Sequence, residues 1–143
     1  VVVVKPWSDE KKPVLKEQYR KAIEDYIEPY RLINTKVTVE SARYAGICVH
    51  GKIALEQDSP KTRKAILDRI SRELSYTERK HPFGTVISYG QLFTALENTE
   101  GVKKVLELNL ERTGNAARKN DRGDVLLEAD ALGILEGTDL EFC

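Results

Sequence analysis

Tyr44-Ala45-Gly46-Ile47-Cys48-Val49-His50-Gly51-Lys52-Ile53-Ala54-Leu55 decides how this chain folds. Ile47, Val49, Ile53 and Leu55 fall on one side of an extended backbone, and Cys48, His50 and Lys52 on the other. A period of two with one apolar side is a half-buried strand. Gly46 and Gly51 inside it predict a bulge or a closely approaching neighbour. Downstream, Asp58-Ser59-Pro60 reads as a helix start, with a Ser to cap and a Pro at the first position. Ile66, Ile70 and Leu74 make its buried stripe, with Lys61, Arg63, Lys64, Arg69 and Arg72 outside. Upstream, Val37 and Val39 alternate with Lys36, Thr38 and Glu40, a second half-buried strand. Before it, Leu15, Tyr19, Ala22, Ile23, Tyr26 and Ile27 recur at three- and four-residue steps, an amphipathic helix entered at Pro13. Pro29 closes that helix because it pushes Glu28 out of the helical region. The β-branched run 1–4 suits a strand buried on both faces.

Beyond the central helix, His81-Pro82-Phe83-Gly84-Thr85-Val86-Ile87-Ser88-Tyr89-Gly90-Gln91-Leu92 packs a turn, a short strand and a helix start into one run. Ser88 and Gln91 stand at capping-box spacing, so the helix begins at Tyr89. Leu92, Phe93 and Leu96 form its apolar face, and Gly101 supplies a positive φ where it ends. Residues 102–110 read as a strand in which Leu106, Leu108 and Leu110 alternate with Glu107 and Asn109. Residues 112–123 read as a polar loop, in which Arg112, Arg118, Lys119 and Arg122 outweigh Asp121. A flexible solvated loop accounts for that composition better than a phosphate-binding one. Two short strands follow, over residues 125–129 and 139–142, around Gly133 and Gly137.

The order is strand, helix, strand, strand, helix, short helix, strand. It predicts an α+β fold: a ferredoxin-like βαββαβ two-layer sandwich over residues 1–111, with an extra short helix. Residues 112–123 then form the loop, and 124–143 a C-terminal β-hairpin appendage.

Lys plus Arg and Asp plus Glu both number 23, so the formal net charge is zero. A nucleic-acid binder needs a basic excess or a basic face, and composition supplies neither. Hydrophobic residues make up 41% and charged residues 32%, the balance of a globular domain with a well-solvated surface. No apolar run approaches the ~20 residues of a membrane span. Two cysteines, Cys48 and Cys143, make no disulfide framework, which favours a reducing compartment. The chain begins at Val1 and has no Met, which reads as a piece of something longer.

The catalytic inventory is thin. His50 and His81 lie in different elements. Cys48 and His50 share a strand face and could give a metal two ligands, but no second pair follows. The same two residues lack the oxyanion site that a nucleophilic dyad needs. Glu24, Asp25 and Glu28 fall on a solvent face beside Lys and Arg, as helix-surface pairs. There is neither a GxGxxG run nor a P-loop. The expectation is a non-enzyme with no catalytic, cofactor-binding or metal residues and no cofactor.

The stretches Tyr30-Arg31-Leu32-Ile33-Asn34-Thr35, Val37-Thr38-Val39, 44–55, Pro82-Phe83-Gly84 and Gly101-Val102, taken in order, resemble the C-terminal region of the baseplate J-like wedge proteins. These belong to contractile phage tails and related contractile injection systems. The resemblance runs through most of residues 13–142 and rests on order and spacing, since each motif alone is common. Asn34 stands where the family has a glycine, and His81 where it has an aromatic. The resemblance implies a structural, non-catalytic role in wedge assembly, in a virion or phage-tail-like particle assembled in the bacterial cytoplasm. It implies other wedge and hub proteins as partners, which rearrange together when the sheath is released. The balanced charge and the lack of a long amphipathic seam predict weak or no homo-oligomerisation of the isolated domain. The alternative is a small ligand- or RNA-binding module using the open sheet face. Against it, Tyr44 is the only aromatic on the central strands, and it stands at a strand end.

Overall fold

The computed structural model describes residues 1–6, 10, 12–76 and 83–143. They form two compact units, Val1–Arg43 and Tyr44–Cys143.

In the first unit, β1 (Val2–Val4) pairs in parallel with β2 (Val39–Ser41), from Val2 opposite Val39 to Val4 opposite Ser41. Helix α1 (Glu17–Ile27) runs into a single 3-10 turn at Glu28–Tyr30, so the α-helix stops before Pro29 as expected, but Glu28 keeps helical angles (φ -48, ψ -45) and is not pushed out of the helical region. The helix starts four residues after Pro13, which is buried outside it. Leu15, Val39 and Ala42 are buried, and the Leu15 N–H donates to Ser41 Oγ at 3.1 Å. The remaining expectations for this unit need correction. No residue of α1 is buried, and Tyr19 and Tyr26 are exposed rather than core. The valine run is half-buried or exposed, because a two-stranded ladder has too little neighbouring surface to cover both faces.

The second unit carries the larger core. Strand β3 (Arg43–Leu55) buries Ala45, Ile47, Val49, Ile53 and Leu55, the alternation read from the sequence. It pairs antiparallel with β5 (Val102–Thr113), with register shifts between Lys52 and Ile53 and between Ala54 and Leu55. On the other side lies β8 (Ala131–Phe142). The Leu55 N–H donates to Cys143 O at 2.9 Å, and the Cys143 N–H to Ile53 O at 3.0 Å. One residue bridging two partners two positions apart is the parallel pattern.

Helices α2 (Pro60–Leu74) and α3 (Tyr89–Glu97) cover the inner side of that sheet. Ile66, Ile70 and Leu74 from α2 meet Leu92 and Leu96 from α3 in one cluster with Ile47, Val49, Ile53 and Leu110. The α2 cap is Ser59, whose side chain accepts from the Thr62 N–H at 3.2 Å. The α3 cap is Ser88, which accepts from the Gln91 N–H at 3.3 Å. A third sheet orders β4 (Val86–Ile87), β7 (Val125–Leu127) and β6 (Ala117–Lys119), all antiparallel.

The class is therefore α+β, with three helices and eight strands among the described residues. The pairings draw a different pattern from a single four-stranded ferredoxin-like sheet. The first strand pairs in parallel with β2, and β3 has β5 and β8 as its neighbours. Residues 112–123, expected as a loop, hold the end of β5 and all of β6. The expected C-terminal hairpin divides between two sheets, because the first four residues of β8 are buried and belong to the core. His81 and Pro82, from the connector, lie outside the described residues. Phe83 and Gly84 form a turn there, with Gly84 at φ +63.

Candidate interaction surfaces

The outer face of the β5-β3-β8 sheet carries the residues that sequence reading placed there. Cys48 is half-buried opposite Glu111, His50 is exposed opposite Asn109, and Lys52 lies opposite Glu107. Lys119, from β6, reaches across to this face. Its Nζ lies 2.7 Å from Asn109 Oδ1 and 3.1 Å from Glu111 Oε1. That hydrogen bond and the lysine charge hold the Glu111 carboxyl below the ordinary carboxylate range. On the β8 side, His50 Nδ1 is 3.6 Å from Asp139 Oδ2, and Lys52 Nζ is 4.0 Å from Glu141 Oε2.

This face is a mosaic of charges: Glu107, Glu111, Asp139 and Glu141 stand with Lys52, Lys104 and Lys119. Cys48 and His50 share it, yet among the described residues no group of three His, Cys, Asp or Glu side chains is placed to hold a metal. Tyr44, the one aromatic considered for base stacking, packs against Tyr76 with ring centroids 6.2 Å apart. Its burial, with Tyr76 beside it, pushes the phenol up to about 12.

Of the basic residues of 112–123, Arg112 and Lys119 are engaged locally through their side chains. Arg112 Nη1 donates to Gly114 O at 2.5 Å. Asn120 Oδ1 accepts from the N–H groups of Arg122 and Asp124, at 2.9 and 3.0 Å. Asp124 Oδ1 then accepts from the Tyr89 N–H at 2.8 Å, so a turn between β6 and β7 caps the first residue of α3. A carboxylate at a helix N-terminus is also favoured by the helix dipole. The sequence held no local signal for this, since the partners are 35 residues apart.

On the opposite, helical side of the unit, α2 carries Lys61, Arg63, Lys64, Arg69 and Arg72 against Asp68 and Glu73. Asp58 takes Arg63 through both carboxylate oxygens, at 2.7 and 2.6 Å, which holds the Asp58 carboxyl below its ordinary range. Arg63 also sits 4.9 Å over the Phe142 ring. Arg69 and Arg72 instead face an open groove of about 330 Å³ between α2 and α3, shared with Asn98 and Thr99. The sequence marked both arginines only as lying outside the buried stripe.

The first unit presents a third surface. Tyr26, Tyr30, Leu32 and Ile33 are 73%, 75%, 76% and 91% exposed, in a segment of eight residues. Asn34, just beyond, has φ +64, the left-handed conformation that Asn tolerates. Among the described residues no helix is long and apolar enough to cross a membrane. The chain matches no family model and no curated protein.

Proposed function

We propose that this chain is a structural assembly domain, the C-terminal region of a baseplate J-like wedge protein, working by protein–protein contact without catalysis. The observation that carries the reading is the exposed run Tyr26, Tyr30, Leu32 and Ile33, which lies in and beside the first stretch of the resemblance. Large apolar and tyrosine side chains left this open are what protein interfaces recruit. Asn34 supports it further: where the family has glycine, this chain holds a left-handed backbone with the next most tolerant residue. The same proposal keeps a ferredoxin-like relationship for the order β3, α2, α3, β5, with the two helices over an antiparallel pair. Its partners are other wedge and hub proteins, and its place is a virion or phage-tail-like particle.

The RNA-binding alternative fares worse on this geometry. Tyr44 is already packed against Tyr76, and the open sheet face mixes carboxylates with lysines in place of a basic surface. The deciding experiment is recovery of the full-length parent from its producing cell, with imaging of intact tail particles. Recovery in a baseplate with sheath and hub proteins is expected. Recovery with RNA or with a metabolic enzyme, and no tail component, overturns the reading. The isolated chain should sediment as a monomer, and a stable homo-oligomer at micromolar concentration would contradict that part.

A further inference from the structure

We propose that the free edge of β8, over residues 138–142, pairs with an extended segment of a partner protein in which basic and apolar residues alternate. This goes beyond the assembly reading and rests on it only in taking a protein as the partner.

Strand β8 stands last in the order β5-β3-β8, so among the described residues it has a neighbouring strand on one side only. Its register shows which backbone groups face the vacant side. Asp139 lies beside His50 and Glu141 beside Lys52, and the bonds of Cys143 to Ile53 and Leu55 set it beside Ala54. Both strands thus advance by two residues at a time. Cys143 gives its N–H and its C=O to β3. Successive residues of a strand turn these groups to opposite sides, so Asp139 and Glu141 also turn theirs to β3. Thr138, Leu140 and Phe142 turn theirs to the open edge. A row of unpaired N–H and C=O groups is a template for one kind of occupant, another extended backbone. Within β8 there is neither Pro nor Lys, residues that commonly block such an edge.

The same alternation sorts the side chains. Leu140 and Phe142 pack against the core on the helical side, where Arg63 lies 4.9 Å over the Phe142 ring. Asp139 and Glu141 lie on the outer face with side chains 83% and 77% exposed, and His50 and Lys52 approach them only to 3.6 and 4.0 Å. Pairs so open to water are weak, so both carboxylates remain available to a neighbour on the other side. They decide the occupant. A second copy pairing about Leu140 would set Asp139 opposite Glu141, and like charges directly opposite are destabilising. A strand with Lys or Arg at those positions gains opposite-charge pairs instead. Its intervening Val, Ile or Leu side chains would extend the apolar surface of Leu140 and Phe142.

The probe is a short peptide of alternating Lys and Val, added to the full chain and read by amide hydrogen exchange. In the free chain the amides of Thr138, Leu140 and Phe142 should exchange fast, and those of Asp139, Glu141 and Cys143, bonded to β3, slowly. The first set should slow by about tenfold at a peptide concentration about ten times the Kd, and the second should not change. Replacing Asp139→Asn together with Glu141→Gln should weaken binding by about three- to tenfold. Asp139→Lys with Glu141→Lys should lose the Lys-Val peptide and take up the matching Glu-Val one. Both positions are exposed, the amide spectrum of each variant checks its fold, and the wild-type protection stands without any variant. Unchanged exchange of Thr138, Leu140 and Phe142 at millimolar peptide overturns the proposal, as does slow exchange of those amides in the free chain. So does equal binding of the Glu-Val peptide by the unaltered chain. Protection that arises on raising the chain concentration alone would make a second copy the occupant and overturns it too. Should the peptide fail while the parent is still found in tail particles, this proposal falls and the assembly reading stands.

Discussion

Gly101 adopts φ +88, and a Cβ built on it would lie 2.7 Å from Thr62 Cγ2. Thr62 has little freedom to move aside, since its hydroxyl is 3.0 Å from Ser59 Oγ and its N–H donates to the same oxygen. Gly101→Val therefore combines left-handed strain with a clash on the α2 cap. It should cost on the order of 1–3 kcal/mol in urea unfolding; an unchanged midpoint would refute it. The positive φ was legible in the sequence from the glycine's place after an apolar helix, although α3 ends earlier, with Asn98 as its cap. Ser88 was legible for the same reason: its partner, Gln91, is three residues away. Asp124 was not, because its contact with Tyr89 exists only once two sheets have formed. Tyr44 yields a second residue-scale prediction. Burial holds its phenol up to about 12, against about 10 in an unfolded chain. The fold thus favours the neutral phenol, and the linked stability is intact below about pH 10 and is lost as pH rises from there towards 12. Phenolate absorbance should show one late-ionising tyrosine that Tyr44→Phe removes, and a titration in which all tyrosines ionise together would contradict the burial.

At the scale of elements, β3 and β5 show why one alternation was readable and the other was not. Strand β3 keeps a strict period of two, so its buried set follows directly from the sequence. Strand β5 pairs Lys52 with Glu107 but Ile53 with Val105, and Ala54 with Lys104 but Leu55 with Val102. Leu106 and Lys103 are thus extra residues at two bulges, each shifting the following side chains to the other face. Val102, Val105, Leu108 and Leu110 are buried, and Leu106 is 47% exposed. The apparent leucine alternation was correct for Leu108 and Leu110 and wrong for Leu106, because no single residue type announces a bulge. The consequence is a sharp contrast between two leucines four residues apart. Leu106→Ser should shift stability by no more than about 0.5 kcal/mol, and Leu110→Ala should cost about 2–5 kcal/mol. Equal costs in urea unfolding would restore the uninterrupted strand. A similar error inflated α1: its three- and four-residue spacing is real, but spacing reveals which side chains share a face and not whether anything covers that face.

At the scale of the whole chain, element type was readable and partnership was not. Strand order alone suggested one sheet, yet whether two strands pair depends on register and crossover, which the local pattern does not encode. The uneven distribution of burial between the two units has a consequence that can be measured. Ile47, Val49, Ile53, Ile66, Ile70, Leu74 and Leu110 are inaccessible to solvent, and all belong to Tyr44–Cys143. In Val1–Arg43, α1 buries no side chain and β1 pairs with β2 over three residues. Amides open locally at a free-energy cost set by the apolar surface exposed when they do so. Native-state hydrogen exchange should therefore show the amides of β3, β5 and α2 exchanging last, at a common limit set by global unfolding. The amides of α1 should exchange earlier by orders of magnitude, through openings that leave the second unit intact. Equal protection across α1 and α2 would mean that the two units unfold together. The exposed tyrosines of α1 and its 3-10 turn would then belong to a rigid surface, and not to a segment left to be ordered by a partner.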